Sequence, residues 1–430
     1  MTVLGLGLLV LGAISALVCY AYSLHRWPLV GIMSAAVGVV VAWEVPQPPP
    51  LLNIAGNNIF LLDAIALACI VVALINYPQL NANLGMAALL IIGLLILTVV
   101  SLLRGIQDYG MGAAINEFRL FLYPFACLLW SMSVDWRNAK MSKLLRLSVV
   151  WLGWLLVAVA FFHMATYGLG SAGEFVSEAS GFEQTTRPLV SGQALVLLIC
   201  CAVCLWLWRH EQRRGFLVTA CIFGAVVILV QQRTVWFVAV AAIGVVFVVG
   251  NIRTKRAIMG GAGMASICLL LVLASGVAGD VIGQLQSAAE DSGTYDARVV
   301  SWTNLLSESF ERGADTVIFG APMGIGFGRL EGFDRWVTFA PHNWYLTVYL
   351  RCGIIGLTAF VGFLVLTLGM ALKRRSNMAV VAIFVIMIVY GWSYSWLWYT
   401  CILSGWAYCS TRESYQPHAD FTNMNSTAMR

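Results

Sequence analysis

Runs of about twenty apolar residues recur along nearly the whole chain, and they set its solvent. They fall at about 2–24, 28–44, 58–77, 83–102, 117–133, 147–168, 189–208, 215–232, 234–250, 257–279, 353–372 and 378–409. A helix of about 20 apolar residues crosses the hydrocarbon of a bilayer. Hydrocarbon offers no water to an unpaired backbone group, so each run is expected to be a helix. The last run is too long for one crossing and allows two, giving twelve or thirteen. Composition agrees, with 60% hydrophobic residues against 10% charged, where a soluble domain carries about a quarter charged. The sequence predicts an all-α polytopic membrane protein and rules out the two or three soluble domains that 430 residues would otherwise suggest.

The charges orient the helices. Arg137, Lys140, Lys143 and Arg146 follow the fifth run; Arg209, Arg213 and Arg214 the seventh; Arg253, Lys255 and Arg256 the ninth; Lys373, Arg374 and Arg375 the eleventh. Basic residues concentrated on alternate connections mark the cytoplasmic side. The connections between them are acidic: 169–187 carries Glu174, Glu178 and Glu183 against Arg187, and 280–341 holds nine acids, four arginines and no lysine. Loops beyond about 15 residues are commonly functional or disordered. The second of these contains Tyr295, Trp302, Leu305, Leu306, Phe310, Ile318 and Phe319, so it is expected to fold, with an amphipathic helix near 296–311. The same alternation puts the N-terminus outside if every run crosses once.

The eleven cysteines lie in apolar stretches. Cys200, Cys201 and Cys204 share one run without a histidine or acid, which reads as packing rather than metal binding. The first run lacks a basic leader and a small-residue cleavage site, so it reads as a membrane helix. Four regions follow: N-terminal membrane helices over 1–214, a functional region over 215–375 that includes the loop 280–341, C-terminal membrane helices over 376–410, and a polar tail over 411–430.

Ionisable groups at membrane depth or its edge are the first functional candidates. Arg233 sits between two apolar runs with few polar neighbours. It reads either as an interfacial arginine snorkelling to headgroups or as a phosphate clamp, since guanidinium presents a fork of donors matching phosphate oxygens. Arg298 lies early in the outer loop and could pair with Asp296 or Asp291. Glycines at 320, 324, 326 and 328 permit a tight backbone able to approach a ligand. No strand–turn–helix context surrounds them, which excludes a dinucleotide or phosphate-loop fold. Of five histidines, His342 alone lies on the outer face at a membrane edge, beside Asn343. An imidazole titrating near neutrality suits a general base, although a proline turn also places an interfacial histidine there. Asp63, Glu117 and Arg119 line a cavity or form structural ion pairs; Glu117 and Arg119, two residues apart, do not share a helix face.

Together these features resemble the O-antigen ligase and Wzy-type polymerase superfamily of bacterial surface-polysaccharide enzymes. The likeness rests on Gln232-Arg233-Thr234, Arg298-Val-Val-Ser-Trp302, Gly324-Ile-Gly-Phe-Gly328, and His342-Asn343-Trp-Tyr-Leu346 followed by Gly353-Ile-Ile-Gly-Leu357. It is specific over about 215–375 and only topological before that. One departure is Gln-Arg-Thr where the family commonly has Ser-Arg-Gly. The resemblance implies a GT-C-like fold in the bacterial inner membrane and inverting glycosyl transfer at the periplasmic face, independent of metal or other cofactor. The implied donor is a glycan on undecaprenyl diphosphate, the acceptor a second glycan or lipid A-core; membrane lipid surrounds the protein, and no nucleic acid is involved. Arg233 and Arg298 would grip the diphosphate, His342 would deprotonate or orient the acceptor hydroxyl, and Arg187, Arg119 and Asn343 are secondary candidates. Polymerase is favoured over ligase. A lipid-linked sugar transporter is a further alternative, but transporters commonly carry functional positions in both halves, whereas the candidates here cluster in the second.

Overall fold

The computed structural model describes residues 3–41, 49–54, 57–167, 174–176, 183–185, 187–252, 254–256, 258–260, 263, 293–331, 335–373 and 378–412. Most of the apolar run at 257–279, Asp291, Glu178 and the tail from 413 lie outside them. The described residues form a helical bundle with three short hairpins. Its first half comprises α1 (Val3–Arg26), α2 (Leu29–Val40), the hairpin β1 (Leu52–Ile54) with β2 (Asn57–Ile59), α3 (Leu61–Ile75), α4 (Tyr77–Asn83), α5 (Met86–Tyr109), α6 (Met111–Met132) and α7 (Ala139–Tyr167). Then follow β3 (Glu174–Val176), β4 (Glu183–Thr185), α8 (Ser191–Glu211), α9 (Arg214–Leu229) and α10 (Arg233–Val249). The remainder is α11 (Gly293–Glu311), α12 (Ala314–Phe319), β5 (Arg329–Glu331), β6 (Arg335–Val337), α13 (Trp344–Lys373), α14 (Met378–Gly391) and α15 (Trp398–Arg412).

Helices α5, α7, α8 and α13 are long and apolar enough to cross a membrane, so the protein is a multi-pass helical membrane protein. Two bent pairs, α1 with α2 at 113° and α3 with α4 at 82°, raise the number of candidate crossings to six if each counts as one. The twelve or thirteen expected runs therefore do not map one-to-one onto full-length helices among the described residues. Pro28 breaks the first pair of runs, and α9, α10 and α14 are shorter than a full crossing. The run at 378–409 divides into α14 and α15, with a turn at 392–397.

Close contacts at small residues seat the helices. Gly405 of α15 faces Ser131 of α6, where an added Cβ would lie 2.6 Å from the serine Cβ, and Ser131 Oγ donates to the Ile402 carbonyl at 2.6 Å. Such small contacts let backbones approach where no hydrophobic force separates lipid from protein. Trp344, fully buried at the start of α13, packs on Phe121 of α6 with centroids 5.2 Å apart. Cys200 and Cys204 are buried in α8, and Cys201 donates to the Ala220 carbonyl, in keeping with a packing role.

The expected outer-loop helix is present as α11. Trp302 and Leu305 pack with Phe327, Leu346, Tyr349 and Leu350, so the loop is built onto the first turns of α13. At Gly353 the backbone of α13 turns out of the helix, with φ 65° and ψ −167°. A Cβ there would stand 2.1 Å from the Ile318 carbonyl oxygen, so only glycine fits.

Candidate active site

The segment carrying His342 is fixed from both sides. Immediately after it, Asn343 is buried and its Oδ1 accepts the Leu346 backbone N–H at 3.0 Å, capping α13. Before it, Arg329 is 3% exposed and donates to the carbonyls of Phe327 at 2.8 Å and Phe339 at 2.7 Å, and to Ser301 Oγ of α11. Its guanidinium also lies 5.1 Å from the Phe339 ring centroid, while Phe339 packs against His342 at 5.4 Å.

Tyr394, in the turn after α14, joins the sequence candidates. Its ring is 5.6 Å from that of His342, and the Arg298 guanidinium lies 5.2 Å from its centroid. Arg298 therefore uses its α11 position to reach a tyrosine face, a cation–π contact, and makes no ion pair with Asp296 among the described residues. Tyr394 stacks on Tyr390 at 5.0 Å, and the Tyr390 hydroxyl is 3.2 Å from Ser191 Oγ at the start of α8. Burial, with the nearby positive charges of Arg298 and then Arg329, pulls the His342 pKa down from its ordinary 6.5 to about 4. The imidazole is thus neutral at neutral pH, with a lone pair available to take a proton. Contrary to the near-neutral titration expected from the sequence, it is a weaker base while the Arg298 charge beside it stays uncompensated.

Arg233 begins α10, two residues after Gln231, whose φ of 56° turns the chain sharply between α9 and α10. The adjoining Gln232 accepts from Arg187 Nη1 at 3.2 Å and donates to the Leu189 carbonyl at 2.8 Å. Leu189 and Ser191 flank the start of α8, so these bonds hold Arg233 at the same end of the bundle as Tyr390, Tyr394, Arg298 and His342. A cation on a helix N-terminus opposes the macrodipole, and the two positive fields add into a place suited to an anion.

The other candidates are engaged structurally. Arg119 binds Asp63 through both Nε and Nη2, at 2.9 and 2.8 Å, and Tyr123 donates to the same carboxylate at 2.8 Å. Glu117 instead meets Arg351 Nε at 2.5 Å and the Gly326 N–H at 2.5 Å. Arg351, 2% exposed, also donates to the Gly326 carbonyl at 2.7 Å. Most of the glycine run thus approaches protein: a Cβ on Gly320, at φ 82°, would lie 2.3 Å from the Arg351 carbonyl carbon, and one on Gly105 of α5 would lie 1.9 Å from Met323 O, whereas one on Gly326 would meet open space.

The chain matches no known family, no characterised protein and no solved structure at a significant level. Sequence reasoning did not identify Tyr394, Arg329 or Arg351. Arg351 gave the clearest missed signal, an arginine within an apolar helix; Tyr394 gave none, because its role appears only when α14 and α11 are placed together.

Proposed function

We propose that the protein is a glycosyltransferase that moves a glycan from undecaprenyl diphosphate to a sugar hydroxyl, joining repeat units of a surface polysaccharide. The observation supporting it is the contact of Arg298 and His342 with one tyrosine, a fixed cation beside a neutral imidazole. His342 accepts the acceptor hydroxyl's proton as that oxygen attacks the anomeric carbon. The bond from that carbon to the diphosphate oxygen breaks with inversion, and the departing anion is held by Arg298 and Arg233. Fixed cations directed at developing charge lower such a barrier, and a sugar hydroxyl needs a base close at hand.

In this reading the protein lies in the bacterial inner membrane with the His342 end facing the periplasm. The crossings number twelve or thirteen, arranged in a GT-C-like fold. Purified protein is supplied with the undecaprenyl-diphosphate-linked repeat unit, with and without lipid A-core, and products are resolved on a gel. A ladder from donor alone is the expected result, and product only with lipid A-core would make the enzyme a ligase. His342→Ala and Arg298→Ala are expected to insert normally and abolish transfer. Normal product from both would refute the site, and folded wild-type protein inactive with either acceptor would favour a transporter.

A further inference from the structure

A cavity of about 1640 Å³ lies in the other half of the molecule, walled by α1, α2, α3 and α6, with side chains such as Ala16, Leu17, Val30, Met33, Leu67 and Leu122. It is larger than a drug-sized ligand requires. Met111, Ile115 and Arg119, from the first half of α6, line one end; Asn138, in the turn after α6, and Lys140, in the first turn of α7, line the other with Arg26. The 22 residues of α6 rise about 33 Å, close to the thickness of bilayer hydrocarbon.

The wall offers little to a polar ligand. The Tyr20 hydroxyl donates to Ser34 Oγ at 2.9 Å, and Ser34 donates to the Val30 carbonyl at 2.9 Å. Asp63, the acid among the lining residues, is held by Arg119 and Tyr123. At the far end Arg26 and Lys140 are exposed, and neither forms an ion pair among the described residues. The cavity therefore combines a hydrocarbon-lined length with a cationic mouth. Because Glu117, near the start of α6, binds Arg351 and Gly326, that mouth lies at the opposite end of the bundle from His342.

We propose that this groove holds an anionic diacyl phospholipid, its chains along α1, α3 and α6 and its phosphate at Arg26 and Lys140. Charge complementarity selects the headgroup, since basic pockets between membrane helices bind anionic lipid heads. The site is separate from that of a lipid-linked donor, whose diphosphate belongs at the Arg298 end.

Native mass spectrometry of the full chain in detergent, titrated with dioleoyl phosphatidylglycerol or phosphatidylcholine, tests it without any transfer assay. Phosphatidylglycerol is expected to bind one per chain, roughly thirtyfold tighter than phosphatidylcholine, the preference conferred by two basic residues at a membrane surface. The exposed double substitution Arg26→Gln with Lys140→Gln is expected to erase that preference, and Ala16→Trp to block both lipids. Equal affinity for the two lipids, or unchanged selectivity in the double variant, would overturn the proposal. So would one-for-one displacement of phosphatidylglycerol by undecaprenyl phosphate, which would assign the groove to a prenyl chain.

Discussion

Replacing Arg351 with methionine removes one member of a buried pair and leaves the Glu117 carboxylate without its cation. The contact is short, 2.5 Å between Nε and Oε2, and Arg351 is almost fully enclosed. At an effective dielectric near 20, charges about 3 Å apart attract by about 6 kcal/mol before desolvation is subtracted. Methionine also frees the half-buried Gly326 carbonyl, a lost hydrogen bond of about 1 kcal/mol. Breaking one side of such a pair typically loses about 3–5 kcal/mol net, because the remaining charge stays buried. The change in unfolding free energy in a detergent titration is expected to fall in that range. Adding Glu117→Gln removes the stranded charge, so the double variant is expected to lose less than the sum of the singles by about 1–3 kcal/mol. An Arg351→Met variant within about 1 kcal/mol of wild type, or strictly additive singles, would show that the pair does not hold the glycine run in place.

His342 is expected to titrate with a midpoint near pH 4, read by NMR of ring-labelled histidine with His342→Asn as the assignment control. Since its folded pKa lies below its unfolded 6.5, the unfolded chain binds more protons, and stability falls as pH drops from about 6.5 toward 4 and is unaffected above that window. Added diphosphate, by masking Arg298, is expected to raise the midpoint; a midpoint at or above 6.5 in the free protein would contradict the geometry. Gly320→Ala forces a Cβ onto the α13 backbone at a left-handed position and is expected to lower the melting temperature, whereas Gly326→Ala, with open space around its Cβ, carries only the backbone strain and is expected to lower it less.

Periodicity and charge made the helical membrane class legible, along with α11 and the division of the last run. Those properties depend on residues near one another in sequence. The interruption near Arg26 was legible as the gap between the first two runs. Its 113° bend, and the joining of 344–352 to the run at 353 across a break at Gly353, were not, because hydropathy gives extent and not direction. The opposite faces of Glu117 and Arg119 followed from helical geometry, but their partners Arg351 and Asp63 are 234 and 56 residues away. His342 and Arg298 were recognisable as residue types in context, while the tyrosine between them depends on how α14 ends.

The break in α13 also bears on the order in which the protein can assemble. Near it, the Leu350 carbonyl receives the Ala321 N–H at 2.8 Å, and the Met323 N–H reaches the Ser101 carbonyl of α5 at 3.2 Å. An interrupted helix at membrane depth is tolerable only when something other than lipid meets its freed backbone groups. Here that partner is Ala321, in the chain upstream of α13, and it must be in place before the Leu350 carbonyl is satisfied. The loop is therefore not a cap added to a finished bundle: these bonds form only when α5, the chain at 320–323 and α13 are in place together.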